Sequence, residues 1–91
     1  MIQRQPKYSP DEHARRGAEI YERVLRSQLE SKEHGRIVAI DVDTEEFEVD
    51  DNSLSASERL LSRLPEAQVW CVRIGFPAVH RFGPRMRKVQ A

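Results

Sequence analysis

Ninety-one residues make one domain with no room for a second core, and fifteen Lys and Arg against fifteen Asp and Glu leave no net charge, which argues against whole-molecule electrostatic steering to nucleic acid. The single cysteine, Cys71, cannot close an internal disulfide, no apolar run approaches the roughly eighteen residues of a membrane span, and Met1-Ile2-Gln3-Arg4-Gln5 lacks the apolar heart of a secretion signal, so the chain reads as cytoplasmic, with no membrane partner. At 33% charged and 38% hydrophobic the composition is polar for a folded domain, which leads us to expect part of the apolar surface in a dimer or partner interface.

Residues 1–8 read as a disordered N-terminus, with Pro6 discouraging early helix. Ser9-Pro10-Asp11-Glu12 is a helix start. Ser9 caps, Pro10 suits the first helical position, and Glu12 completes a capping box. A long helix to about Ser31 or Glu33 follows, with Ala14, Ala18, Tyr21, Leu25 and Leu29 as its apolar stripe, widened by Ile20 and Val24. Glu19–Arg23 and Glu22–Arg26 are the expected i,i+4 pairs on its polar side, and Gly35 is the stop.

The first strand covers about Arg36–Val42. Ile37 and Ala39 share one face; Val38, Ile40 and Val42 share the other. Two apolar faces predict a central strand covered on both sides. A turn at Asp43-Thr44-Glu45 leads to a second strand at Glu46–Asp50, with Phe47 and Val49 inward and Glu46, Glu48 and Asp50 outward in water, a row that also guards an edge. Asp51-Asn52-Ser53 caps a helix over about Leu54–Leu64, whose expected core face is Leu54, Ser57, Leu60, Leu61 and Leu64, ended by Pro65. The third strand is Gln68–Ile74, with Trp70, Val72 and Ile74 on one face and Val69, Cys71 and Arg73 on the other. Ala78–Phe82 reads as a short fourth strand after a break at Gly75-Phe76-Pro77.

The order is α-β-β-α-β-(β), an α+β fold with a small, mainly antiparallel sheet in the order 2-1-3 and a long N-terminal helix. One domain spans 9–82, followed by a flexible basic tail at 83–91. Charge is divided unevenly along it. Residues 38–67 hold Arg59 and Arg63 against a run of carboxylates, whereas 68–91 hold Arg73, Arg81, Arg85, Arg87 and Lys88 and no acid. The simplest expectation is that this tail neutralises the acidic hairpin.

Several chemistries fail on residue type. Asp41-x-Asp43-x-Glu45 opens like a calcium loop, but the glycine and the final glutamate that such a loop needs are Glu46 and Asn52 here. Asp43-Thr44 lacks the glycine of an aspartyl-protease loop. His13, His34 and His80 have no second histidine or cysteine at metal-ligand spacing. His13 is expected at the surface of the first helical turn, and His34 at the end of the helix. A Cys71–His80 catalytic pair would need thiolate activation and an oxyanion site that nothing marks, so Cys71 reads as structural. We therefore expect no catalytic, cofactor or metal residues.

The stretch Gly75–Arg85 mixes Phe76, His80 and Phe82 with Arg81 and Arg85, close after Trp70 and Arg73. Aromatic and arginine residues together are typical of interface anchors. The expected partner-binding residues are Trp70, Arg73, Phe76, His80, Arg81, Phe82 and Arg85. The alternative is that Phe76 and Phe82 only complete a small core.

Glu19-Ile20-Tyr21-Glu22, Gly35-Arg36-Ile37-Val38-Ala39-Ile40-Asp41-Val42-Asp43-Thr44 and Val72-Arg73-Ile74-Gly75-Phe76-Pro77-Ala78-Val79 together resemble a small uncharacterised bacterial family common in cyanobacteria. Its pattern is a helix, a Gly-[Lys/Arg]-x-Val-Ala-Ile-Asp-x-[Asp/Glu]-Thr hairpin, a second helix and an Arg-Ile-Gly-x-Pro-Ala segment, matched over about residues 15–82. The resemblance implies membership of toxin–antitoxin-like gene pairs and no particular activity. The chain departs from the pattern at Glu45, where the family carries the turn glycine. Glu45 must then accept a left-handed backbone at about 1 kcal/mol or use another turn.

The function expected from these residues is a non-enzymatic protein-interaction module, self-associating as a homodimer and antitoxin-like. The alternatives are a nucleic-acid-binding regulator using Arg73, Arg81, Arg85, Arg87 and Lys88, and a small metal-dependent enzyme.

Overall fold

Ser9 opens the first helix: its hydroxyl accepts from the Glu12 amide at 3.1 Å, and Pro10 follows where a missing N–H costs nothing. Glu12 was expected to close a capping box, but it turns its carboxylate outward to Arg15 and Arg16. A computed structural model describes residues 7–76 of the chain. The expected fourth strand at Ala78–Phe82, the tail at 83–91 and the domain limit at 82 lie outside the described residues.

The long helix is interrupted. α1 (Pro10–Ile20) passes into one π-helical turn (Tyr21–Leu25) and then into α2 (Arg26–Leu29). At the turn the Arg26 amide donates to the Tyr21 carbonyl, one residue further back than in an α-helix. The cause is legible in the spacing. Tyr21, Leu25 and Leu29 are all buried and lie four apart. Four residues of α-helix overshoot a full turn by about 40°, so a strict four-residue stripe drifts off the core face. One wide turn brings it back. The helix stops at Leu29, earlier than expected, and Gly35 takes the left-handed φ of 88° that redirects the chain into the sheet. Glu22 pairs with Arg26 as expected at 2.7 Å, whereas Arg23 reaches across to Glu45 at 3.1 Å.

β1 (Ile37–Asp41) is the middle strand, and all five residues are buried. β2 (Phe47–Asp50) lies antiparallel on one side, with Val38 opposite Val49. β3 (Val69–Arg73) lies antiparallel on the other, with Val38 opposite Val72. The sheet is three-stranded with order β2-β1-β3, and the fold is α+β.

Alternation along β1 feeds two cores. Val38, Ile40 and Val42 meet Ile20, Tyr21, Leu25, Leu29 and Ile74 on the α1–α2 side. Ile37 and Ala39 meet Ala56, Leu60 and Ala67 on the other, beneath α3 (Ser53–Arg63). Asn52 caps α3 by accepting from the Ser55 amide at 2.8 Å. Leu54, expected in the core, is 68% exposed because it sits in the first turn beside the cap, whereas Ala56 and Leu60 form the buried i,i+4 pair.

The acidic outer row of β2 is not left to water. It faces α3, where Arg63 binds Glu48 at 2.7 Å and Glu46 at 3.2 Å, and Arg59 lies 3.4 Å from Glu48 and 3.8 Å from Asp50. Arg59 and Arg63 stand one turn apart on a single helix face. They clamp the edge strand and neutralise much of the hairpin charge.

Candidate interaction surface

β3 is an edge strand, and its outer carbonyls are partly occupied. His13 Nε2 lies 2.8 Å from the Val69 carbonyl oxygen, which can only accept, so that nitrogen carries the proton. His13, expected at the surface, is thus half-buried and tied to the sheet edge. One turn along the same helix, Gly17 meets the indole of Trp70, and a Cβ there would collide with the ring. The structure therefore places Trp70, among the expected partner-binding residues, half-buried against the larger core.

At its far end β3 runs into Ile74-Gly75-Phe76. Ile74 is fully buried, and its carbonyl accepts from the Gly35 amide at 2.8 Å. Gly75 has a φ of 95°, and a side chain there would strike the His34 ring, so glycine is required twice over. The Gly75 amide donates to the Tyr21 hydroxyl at 3.0 Å, which gives that fully buried ring a polar partner.

This geometry leaves Phe76 outside. It is 49% exposed, and its ring centroid lies 5.6 Å from that of His34, with the planes tilted by 31°. Arg73 is exposed beside it and donates from one guanidinium nitrogen to the Gly35 carbonyl at 2.9 Å. Of the expected partner-binding set, the structure brings Arg73 and Phe76 together on one exposed corner. His80, Arg81, Phe82 and Arg85 lie outside the described residues. His34 joins this corner from the other end of the domain, and no local pattern in the sequence pointed to it.

Asp41 and Asp43, which open the calcium-loop-like stretch, are engaged within the chain. Asp41 is 3% exposed. Its Oδ1 accepts from the amides of Asp43 and Gln68 at 3.0 and 3.1 Å, and its Oδ2 from the Thr44 hydroxyl at 2.9 Å. Asp43 receives the Lys7 ammonium at 2.8 Å and the Tyr8 hydroxyl, and these donors hold its carboxyl below the usual range; the same contact raises Lys7 and Tyr8. Glu45 adopts φ 70°, so the turn does carry a left-handed glutamate. Among the described residues no group of His, Cys, Asp and Glu is arranged to hold a metal ion. Cys71 is half-buried with its sulfur 3.3 Å from Ser57 Oγ. Its suggested partner His80 lies outside the described residues.

No helix among the described residues is long and apolar enough to cross a membrane. Comparison with protein-family models, with curated proteins and with solved structures gives no match.

Proposed function

We propose that this protein is a non-enzymatic protein-interaction module, self-associating and antitoxin-like, that contacts its partner through the corner where β3 ends. The observation that carries this reading is the exposed Phe76 ring resting on His34 beside the exposed guanidinium of Arg73. A solvated aromatic next to an arginine is the composition of an interface anchor. The sequence continues directly from this corner into the other residues of the expected contact set, His80, Arg81, Phe82 and Arg85. The acidic hairpin gives further support. Asp43, Glu45 and Glu48 are ion-paired within the chain to Lys7, Arg23, Arg59 and Arg63, which supports a role for them in holding the hairpin.

Light scattering coupled to size exclusion, with a pull-down of the tagged full chain from its native cell, tests the reading. A dimer or a stoichiometric protein partner is expected, and Arg81→Glu or Phe76→Ser weakens it. A strict monomer that retains nothing overturns it. Arg73, with Arg81, Arg85, Arg87 and Lys88 further along, favours a second reading as a nucleic-acid-binding regulator. A salt-dependent mobility shift with DNA or RNA is its signature.

A further inference from the structure

Every other described arginine, from Arg15 to Arg63, reaches a carboxylate within 4.0 Å. Arg73 is the exception among the described residues: the one polar contact of its guanidinium is the Gly35 carbonyl. Residues 1–6 and 77–91 contain no aspartate or glutamate side chain. Among the described residues the Arg73 guanidinium is thus left without a counter-charge, and the exposed Phe76 follows three residues on, its amide donating to the Arg73 carbonyl at 3.4 Å. Among the described residues Leu54 is the other large apolar side chain in the open. It follows Asp50, which the register places two strands from Arg73, at the same end of the sheet.

We infer that this end of the sheet takes an acidic, apolar segment of a partner protein. A carboxylate of that segment meets the Arg73 guanidinium, and an aliphatic or aromatic neighbour covers Phe76 and His34. Charge complementarity selects the occupant: a basic or neutral segment leaves Arg73 uncompensated, and a purely polar one leaves Phe76 in water. The inference rests on the interaction-module reading and adds the partner's chemistry to it.

The test uses the full chain, labelled for NMR, and three probes: a short synthetic peptide alternating glutamate and leucine, its glutamine-for-glutamate twin, and a thymidine oligonucleotide of matched charge. The acidic peptide is expected to shift the amides of His34, Arg73 and Phe76. The glutamine twin and the Arg73→Glu variant each weaken binding at least about tenfold, since a like charge now faces the anion. Phe76→Ser, in the loop after β3, weakens the acidic peptide while leaving the melting temperature unchanged. Equal binding of the two peptides, unaltered binding by Arg73→Glu, shifts confined to other elements, preference for the oligonucleotide, or no binding at millimolar peptide overturns the inference. A cellular partner held equally by wild type and Arg73→Glu would sink this assignment and leave the interaction-module reading standing. A monomer without any partner removes that reading first.

Discussion

Gly17 lies against the indole of Trp70, with no space between them for even one methyl group. This contact sets how closely α1 approaches β3. Replacing Gly17 by alanine sets two effects against each other. Alanine favours helix by about 1 kcal/mol, but the overpacked ring costs about 1–3 kcal/mol because the obstruction is a rigid indole. We expect Gly17→Ala to be destabilising by up to about 2 kcal/mol, with an altered Trp70 fluorescence maximum, as read by urea denaturation. A variant as stable as the wild type would mean that the helix moves freely over the sheet.

Asp41 ties three segments together. Its carboxylate satisfies the amides of Asp43 and Gln68 and the hydroxyl of Thr44 while being almost wholly enclosed. Truncation to alanine strands those donors. At about 1–3 kcal/mol for a buried unsatisfied group, Asp41→Ala is expected to lose about 3 kcal/mol or more, among the largest single-residue losses in the domain. Hydrogen exchange is expected to show early opening at the β1–β2 turn and at the entry to β3.

Glu45 gives the opposite sign. Its φ of 70° is strained for a side chain with a Cβ, at about 1 kcal/mol. Its pair with Arg23 is half-exposed on both sides and contributes about 0.2–1 kcal/mol. Glu45→Gly is expected to stabilise slightly, raising the melting temperature by a few degrees, whereas Glu45→Val should lower it.

The Asp43 carboxyl titrates below its ordinary value because Lys7 and Tyr8 hold the charged form. A carboxyl depressed in the folded state adds stability that is complete above its unfolded pKa of about 3.9 and fades as pH falls through the lower folded value. Wild type should therefore exceed Asp43→Asn in stability by a constant margin near neutrality, and the margin should shrink below about pH 4. Acid titrations of both proteins followed by circular dichroism measure this. A margin that grows on acidification contradicts the pairing.

The Arg63 clamp predicts a salt response. Arg63 holds Glu48, Glu46 and the Phe47 carbonyl, and Glu48 is only 21% exposed. Arg63→Ala should lower stability at low ionic strength and do so less in molar salt, where the pairs are screened. The loss should appear first in the exchange rates of β2.

Local patterns carried much of this architecture. Ser9, and the Asp51-Asn52-Ser53 group from which Asn52 proved to be the cap, were readable from side-chain type alone, and the split of β1 into Ile37 with Ala39 against Val38 with Ile40 predicted a strand covered on at least part of each side. What escaped depended on contacts between distant segments. Nothing in the alternation of Glu46, Glu48 and Asp50 says that Arg59 and Arg63 will lie over them rather than water. The period that marks α3 does not reveal that Leu54 stays in the open. His13 looked like an exposed helix residue until its partner proved to be a β3 carbonyl. For the candidate surface, residue type singled out Arg73 and Phe76. His34 entered only through the close approach of its ring to Gly75, a relation that no spacing rule encodes. The strict four-residue recurrence of Tyr21, Leu25 and Leu29 was a signal of the widened turn, overlooked because it also satisfies an ordinary amphipathic stripe.

The two sides of β1 differ in bulk. One receives Val38, Ile40 and Val42 against Tyr21 and Leu25; the other receives Ile37 and Ala39 against Leu60 and two small residues, Ala56 and Ala67. Polarity cannot tell these sides apart, since both are oily. Volume can. A shift of one position along the neighbouring strands would drive a further branched side chain into the space that Ala39 fills beside Ala56 and Ala67 and leave a void opposite the tyrosine. The strand's reading frame is thus fixed by steric size, and a designer wishing to redirect this hairpin would have to enlarge one layer and shrink the other together.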